Sequence, residues 1–466
     1  MLGVPVAWLV ATLLLIAVWI YQFKRNGAAA ALGITVTLSI AFPVWLKIEI
    51  IGAPLNVRGA LAIIALLGLT IQRGGNLRTP LTLLDLMATI IWMAHISADV
   101  TADGWTFATL FRAYGEWILP YVAGRLAIKT ADDLKLLLPW VSGVVIALSL
   151  CAIVESLLGF NVVEMLFGDR PVAGFARNAS RFGMKRAFVN TMHPIFFAIQ
   201  LLILAPFCFG MIAKKSDWIR KMLAWVSLLL TALGISATVS RGPMLAFVMM
   251  LAVLVFITFR LIRWPVVIGL AILVVVVSVA PSATLNFLGE QVGERKTMVE
   301  IDGEAMVFSG TNNRFLIFSA YGDALRHAGL AGYGTKLTTG FPPNIPYLQT
   351  SRRSIEKLKY IDNAYVLLTL RFGFLGLCAF VFLMLSGIYT AVSLRKLTPD
   401  EPFYVAVCGG LIGFAAVMMT VWMSYDFGFI YLWMLGILAG CAVAPKDRFS
   451  PNSFKSVSVS PQSFRI

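Results

Sequence analysis

The sequence predicts an all-α fold, a polytopic membrane bundle of roughly twelve or thirteen helices with one long outer loop. Three observations carry this. Of 466 residues, 59% are hydrophobic and only 13% charged, whereas a soluble domain has about a quarter of its residues charged. Apolar runs close to the ~20 residues that cross a bilayer recur along the chain. The lysines and arginines of the short connections fall in alternate loops, as the positive-inside rule requires.

Taken in order, the expected spans lie near 3–22, 27–45, 59–72, 80–98, 105–124, 136–159, 190–212, 222–239, 242–259, 264–281, 363–393, 403–421 and 427–444. The first lacks a basic leader and is followed at once by further apolar segments, so it reads as a retained span and not a removable signal peptide. The fifth is the weakest, since Arg112 and Glu116 interrupt it. Lys24/Arg25, Arg73/Arg78, Arg125/Lys129/Lys135, Lys214/Lys215/Arg220/Lys221, Arg260/Arg263 and Arg395/Lys396 mark the cytoplasmic loops. Four regions follow: helices and short loops over 1–281, with an outer loop near 160–189; a large outer loop over 282–362; C-terminal helices over 363–444; and a serine-rich cytoplasmic tail over 445–466, expected to be disordered.

Composition also excludes functions. The net charge of +15 partly reflects the positive-inside bias, and no basic face interleaved with stacking aromatics marks a nucleic-acid binder. A positive surface favours an anionic lipid or phosphorylated substrate. Five cysteines (Cys151, Cys208, Cys378, Cys408 and Cys441) lie within apolar runs and read as small packing residues. His95, His193 and His327 are scattered, so no metal site is expected, and each reads first as a hydrogen-bonded structural histidine.

Four stretches on the outer side can carry chemistry. "SRG" at 240–242 lets Ser240 cap a helix and leaves Arg241 in its first turn. A cation beside free N–H groups at a positive helix end suits an anion; snorkelling to the interface explains the same arginine equally well. "TNNRFLIFSAYGDALRHAGLAGYG" at 311–334 predicts a capped helix bearing Arg314, Phe318, Tyr321 and Leu325 on one face. Its plainer reading is a surface helix with a glycine-rich exit. "DNAY" at 362–365 opens a long apolar helix. One of Asp362 and Asn363 is explained as an N-cap, and a carboxylate at a membrane mouth can also act as a base. Arg371, two turns further in, requires a partner such as Asp85, Glu116 or Glu155. The loop 177–197 places Arg177, Arg181, Lys185 and Arg186 before His193-Pro194, against the charge trend. "MAHISAD" at 93–99, at the end of the fourth span, is also expected to face outward.

A bundle of about a dozen helices with an outward "SRG" turn, then "NNR…F…GLAGYG", then "DNAY…L…GFLG" resembles the O-antigen ligase and Wzy-type polysaccharide polymerase family over roughly 170–395. The resemblance implies the fold of lipid-dependent glycosyltransferases. It implies an enzyme of the bacterial inner membrane, working at the periplasmic face on undecaprenyl-diphosphate-linked glycans. Arg241 and Arg314 match the family's two arginines that hold the donor diphosphate. Asp362 stands where ligases usually carry the histidine proposed as general base, with Asn363 and Tyr365 positioning sugar and Arg181, Arg186 and His193 further substrate contacts. No cofactor or metal is implied, because the arginines supply the positive charge. Membrane lipid, a flippase and a chain-length regulator are the implied partners. Asp-Asn and "MHPIFFA" tilt the reading toward a polymerase of exopolysaccharide or O-antigen repeat units. The alternatives are a ligase acting on lipid A core and, in another class, a transporter or flippase of a lipid-linked or anionic solute.

Overall fold

The structure, a computed structural model, describes residues 4–50, 52–72, 79–171, 180–181, 183–213, 216–258, 263–265, 297–301, 304–308, 313–339, 343–348, 361–398 and 401–444. The expected span at 264–281 lies outside them but for its first two residues. So do Arg177, the basic residues Arg352, Arg353, Lys357 and Lys359 of the large outer loop, and the tail; of Arg181 and Arg314 only the backbone is described.

Helices dominate: α1 (Val4–Ser39), α2 (Val57–Gln72), α3 (Leu83–Asp103), α4 (Phe107–Ala113), α5 (Leu119–Ala127), α6 (Ala131–Leu158), α7 (Val162–Phe167), α8 (Pro194–Gly210), α9 (Trp218–Ala237), α10 (Arg241–Thr258), α11 (Asn313–Ala320), α12 (Gly322–His327), α13 (Gly334–Thr338), α14 (Ala364–Leu397), α15 (Pro402–Met418) and α16 (Tyr425–Val443). Among the described residues three antiparallel hairpins decorate them: β1–β2 (Lys47–Ile50, Ala53–Asn56), β3–β4 (Ser180–Arg181, Met184–Lys185) and β5–β6 (Thr297–Ile301, Glu304–Phe308). Among the described residues seven helices are long and apolar enough to cross a membrane, and α2, α8 and α15 are shorter apolar helices. The protein is an all-α polytopic membrane bundle.

Two long helices are each two segments. In α1, Gly27 adopts φ 82, a left-handed conformation open to glycine. A straight helix would hold Ala7 and Leu38 about 46 Å apart. Instead Ala7, Ala11 and Leu15 cluster with Leu46, Val57 and Leu61, with Leu38 packed against them. The chain therefore folds back at Gly27, and the two expected spans form a hairpin.

The second break lies in α14, at Gly373 with φ 66. The motif "GLAGYG" fills it. Tyr333 N–H donates to Leu370 O (2.7 Å), while Phe374 N–H donates to Gly329 O (3.0 Å) and Leu375 N–H to Leu330 O (3.3 Å). Backbone groups freed by the break are thus satisfied by the loop, as buried non-helical backbone in a membrane protein must be. The approach demands glycine on both sides: a Cβ on Gly332 would lie 2.5 Å from Gly373 N, and one on Gly373 2.2 Å from Leu330 O. The glycine-rich exit of a surface helix is therefore corrected to a backbone seam docked on the break in α14. Before Gly373, α14 packs on the outer segment through Val366, Leu367 and Leu370; beyond it, Ala379, Phe380 and Leu383 enter the main core.

The interrupted fifth span is continuous. Five residues, Tyr114–Ile118, form a π turn between α4 and α5, with Leu119 N–H reaching back to Tyr114 O. Pro120 follows. It has no N–H to give Glu116 O, and the wider turn absorbs the loss. α5 then lies backbone to backbone on α16: a Cβ on Gly124 would sit 2.1 Å from Trp433 O, and one on Gly436 2.0 Å from Tyr121 O. Small residues permitting such contact are the usual means of association where lipid is as apolar as the side chains. α3 also runs further than expected. It continues to Asp103, five residues past the expected end, with His95 and Asp99 of "MAHISAD" buried.

Candidate functional site

The site assembles around one corner, the turn from Val417 to Trp422 after α15. Met419 and Thr420 close that turn by donating to Ala416 O and Val417 O. Two helix N-termini abut it.

The first is that of α10. Val239 takes φ 49, an outlier for a β-branched residue. Surrounding bonds hold it there: Val239 N–H donates to Ser236 O and Met244 N–H to Ser240 O. Arg186, buried, clamps the same turn, its Nε donating to Thr238 O (3.1 Å) and its Nη2 to Ser240 Oγ (2.9 Å). The Ser240 hydroxyl is thus engaged with Arg186 and Thr238 O. Arg186 acts as a brace that aims Arg241, which is exposed. A Cβ on Gly242 would come within 3.1 Å of Thr420 Oγ1, so the "SRG" turn rests on the corner.

The second is that of α14. Asn363 is its cap: Oδ1 accepts from Tyr365 N–H (3.0 Å) and Val366 N–H (3.1 Å), while Nδ2 donates to Met419 O (3.2 Å). Tyr365 OH donates to Ala415 O (2.8 Å). These two residues therefore pin the helix start to α15. Asp362, half-buried, stands just ahead of the cap.

The outer segment docks on the same helix start. Leu316, Ile317, Ala320 and Tyr321 pack with Ile361, Val366, Leu367 and Leu370, and Trp422 joins them. The helix carrying Arg314 is thereby brought to the corner. Its expected face is corrected, however: Tyr321 is buried while Phe318 is 51% exposed, because the helix breaks at Tyr321 and restarts at Gly322. Burial raises the Tyr321 phenol above its ordinary range. Burial and then neighbouring Tyr347 do the same for Tyr333, whose OH donates to Ala324 O (2.7 Å).

His193 reaches this corner as well. It caps α8, its Nδ1 accepting from Ile195 N–H (3.2 Å). Its ring packs on Phe196, which meets Trp422 edge-on at 5.4 Å. His327 likewise bonds Asp323 O and stacks on Tyr347. Among the described residues, no group of three His, Cys, Asp or Glu side chains is placed to hold a metal.

Of Arg371's candidate partners, Asp85 is taken by Tyr121 (2.7 Å) and Arg125 (3.3 Å). Glu155 accepts from Phe188 N–H, Val189 N–H and Asn161. Glu116 faces Arg371 across a cavity of about 120 Å³ that also touches Ser424 and Tyr425. Glu116 and Tyr425 also line a larger cavity of about 250 Å³. Behind them lies a network that sequence reading missed. Trp117 Nε1–H donates to His95 Nδ1 (3.0 Å), which places the His95 proton on Nε2, facing Asp99 Oδ2 at 3.2 Å. Asp99 Oδ1 accepts from Thr335 N–H (2.6 Å), just past "GLAGYG". The signals in the sequence were "MAHISAD", with His95 read as a hydrogen-bonded structural histidine, and the pair Arg112 and Glu116 inside an apolar run.

No curated protein matches the chain. Residues 226–381 match the family model described as O-antigen ligase, Wzy_C. That stretch begins within α9 and ends in the second half of α14, so it contains the "SRG" turn, the outer segment and "DNAY". Over residues 226–381, about a third of its length, the chain is thus similar to the O-antigen ligase (Wzy_C) family.

Proposed function

We propose that the protein polymerises lipid-diphosphate-linked oligosaccharide repeat units at the periplasmic face of the inner membrane. The observation that carries this reading is the convergence of the Arg241 turn, the Arg314 helix and Asp362 on the corner at Val417–Trp422. Arg241 and Arg314 bracket the donor diphosphate. Arginine suits that task, being always charged and able to grip phosphate oxygens in a fork. As the bond from anomeric carbon to diphosphate breaks, the leaving group gains charge, and fixed cations aimed at developing charge lower the barrier. An acceptor hydroxyl attacks the anomeric carbon from the opposite face, and its proton passes to Asp362. The product has inverted configuration, and the lipid diphosphate leaves with the bonding electrons. Asn363, Tyr365, Arg186 and His193 hold this geometry, with the glycan passing along the loop that contains Arg181.

A second reading, transfer of finished polymer to lipid A core, is favoured by the ligase description of the matching family. Extraction and mass spectrometry of lipid-linked glycans from a deletion strain separates the two. Accumulated single repeat units support the polymerase. Long chains stranded on the carrier, with bare lipid A core, would replace it with the ligase. An unchanged glycan profile would remove both.

A further inference from the structure

Polymerisation joins two substrates of one class, so it needs a second place for a lipid diphosphate. We propose that the paired cavities at the π turn are that place. They hold the phosphate-bearing head of the acceptor glycan, with Arg112 and Arg371 as its anion-binding residues. This rests on the polymerase reading above.

The lining of the cavities supports it. Arg112 lines the larger cavity with Lys47, and Arg371 lines the smaller. Glu116 lines both cavities, so each arginine shares a wall with it, and an anion held in the paired cavities would meet cations on both sides. Two of the nearby carboxylates already have partners of their own. Asp99 is taken by His95 and Thr335. Asp426 is held by Met192 N–H and lies beside buried Arg58. Glu116, 3.6 Å from His95 Nδ1, lines the cavities together with Arg112, Arg371 and Lys47. Among the described residues Arg112 has no ion pair.

The remaining wall suits a sugar. Trp45, Tyr114 and Tyr425 give it apolar faces with polar edges, and Asn56 and Ser424 add hydrogen-bonding groups. Together the cavities fall within the roughly 300–1,000 Å³ of small-molecule sites. Their position is also right. Met192, next to His193, lines the larger, and Met423, next to Trp422, lines the smaller. Each cavity wall thus includes a residue adjacent in the chain to one at the corner. A π turn at such a wall fits the frequent use of these bulges at functional sites.

The test uses full-length protein in nanodiscs, titrated with undecaprenyl diphosphate and counted by native mass spectrometry. Wild type binds two copies. Arg112→Ala loses one, its affinity falling about 10- to 100-fold for a lost charged contact. Arg241→Ala loses the other. Glu116→Gln removes the opposing carboxylate and tightens the acceptor copy several-fold, a gain that misfolding cannot produce. Two copies retained by Arg112→Ala, or no tightening in Glu116→Gln, would overturn the proposal. A single copy lost only in Arg241→Ala would overturn it while leaving the donor reading intact. A single copy lost only in Arg112→Ala would keep the cavity and remove the donor assignment. No binding to wild type would remove both.

Discussion

Replacing Gly332 by alanine tests how the outer segment is held to the membrane bundle. Gly332 has φ +74, and an added Cβ would lie 2.5 Å from Gly373 N and 2.6 Å from Arg371 C and O. Two costs follow. A non-glycine residue in the left-handed region costs about 1–2 kcal/mol. Forcing backbone apart in a packed seam costs a further ~1–3 kcal/mol. Because both partners are main chain, no rotamer change relieves the clash, and the neighbouring bonds from Tyr333, Phe374 and Leu375 lengthen. The expected destabilisation is therefore about 2–5 kcal/mol. Two neighbours serve as controls. Gly329 has φ +59 but nothing within 4 Å of its added Cβ, so alanine there meets strain alone; Gly322 meets neither. A thiol-reactive dye reports unfolding as buried Cys208, Cys408 and Cys441 become accessible. The midpoint order should be wild type and Gly322→Ala highest, then Gly329→Ala, then Gly332→Ala. Limited proteolysis of folded Gly332→Ala should also release the outer segment sooner. A Gly332→Ala protein that melts with Gly322→Ala would refute the seam.

Other substitutions probe the site and the bundle. Arg241→Ala or Arg314→Ala should lower polymer formation on the order of 10²-fold or more while the protein stays in the membrane; normal polymer from either would sink the donor assignment. Arg186→Lys keeps the charge but loses the forked hold on Thr238 O and Ser240 Oγ, so activity should fall roughly as far as in Arg186→Ala; full rescue by lysine would show that charge alone matters. Gly436→Ala should separate α5 from α16 and lower the melting midpoint more than Gly143→Ala, whose Cβ meets nothing within 4 Å; equal midpoints would contradict the close packing.

Much of this protein is legible in one dimension. Bilayer thickness sets the length of an apolar run, so the helical segments follow the expected spans in order, and turn-forming Gly27 lies where two of them meet. Local chemistry placed the caps as well: Asn363 opens α14 and Asp362 precedes it. Residues whose role is set by distant partners were not legible. Arg186 reads as one of a basic loop's charges, yet it is buried and grips a turn 52 residues away. Phe318 and Tyr321 share a helical period, yet the chain breaks between their turns. "GLAGYG" signals a turn by composition, but nothing local says that it mends a break at Gly373. His95, Asp99, Trp117 and Thr335 come from separate segments and form one network only when α3, the π turn and the outer segment pack. Periodicity and capping are short-range, and one chain contains them whole. Which carboxylate meets Arg371, and which surfaces enclose a cavity, depends on the unique packing of elements far apart in sequence, and the physical terms that select it act across that distance.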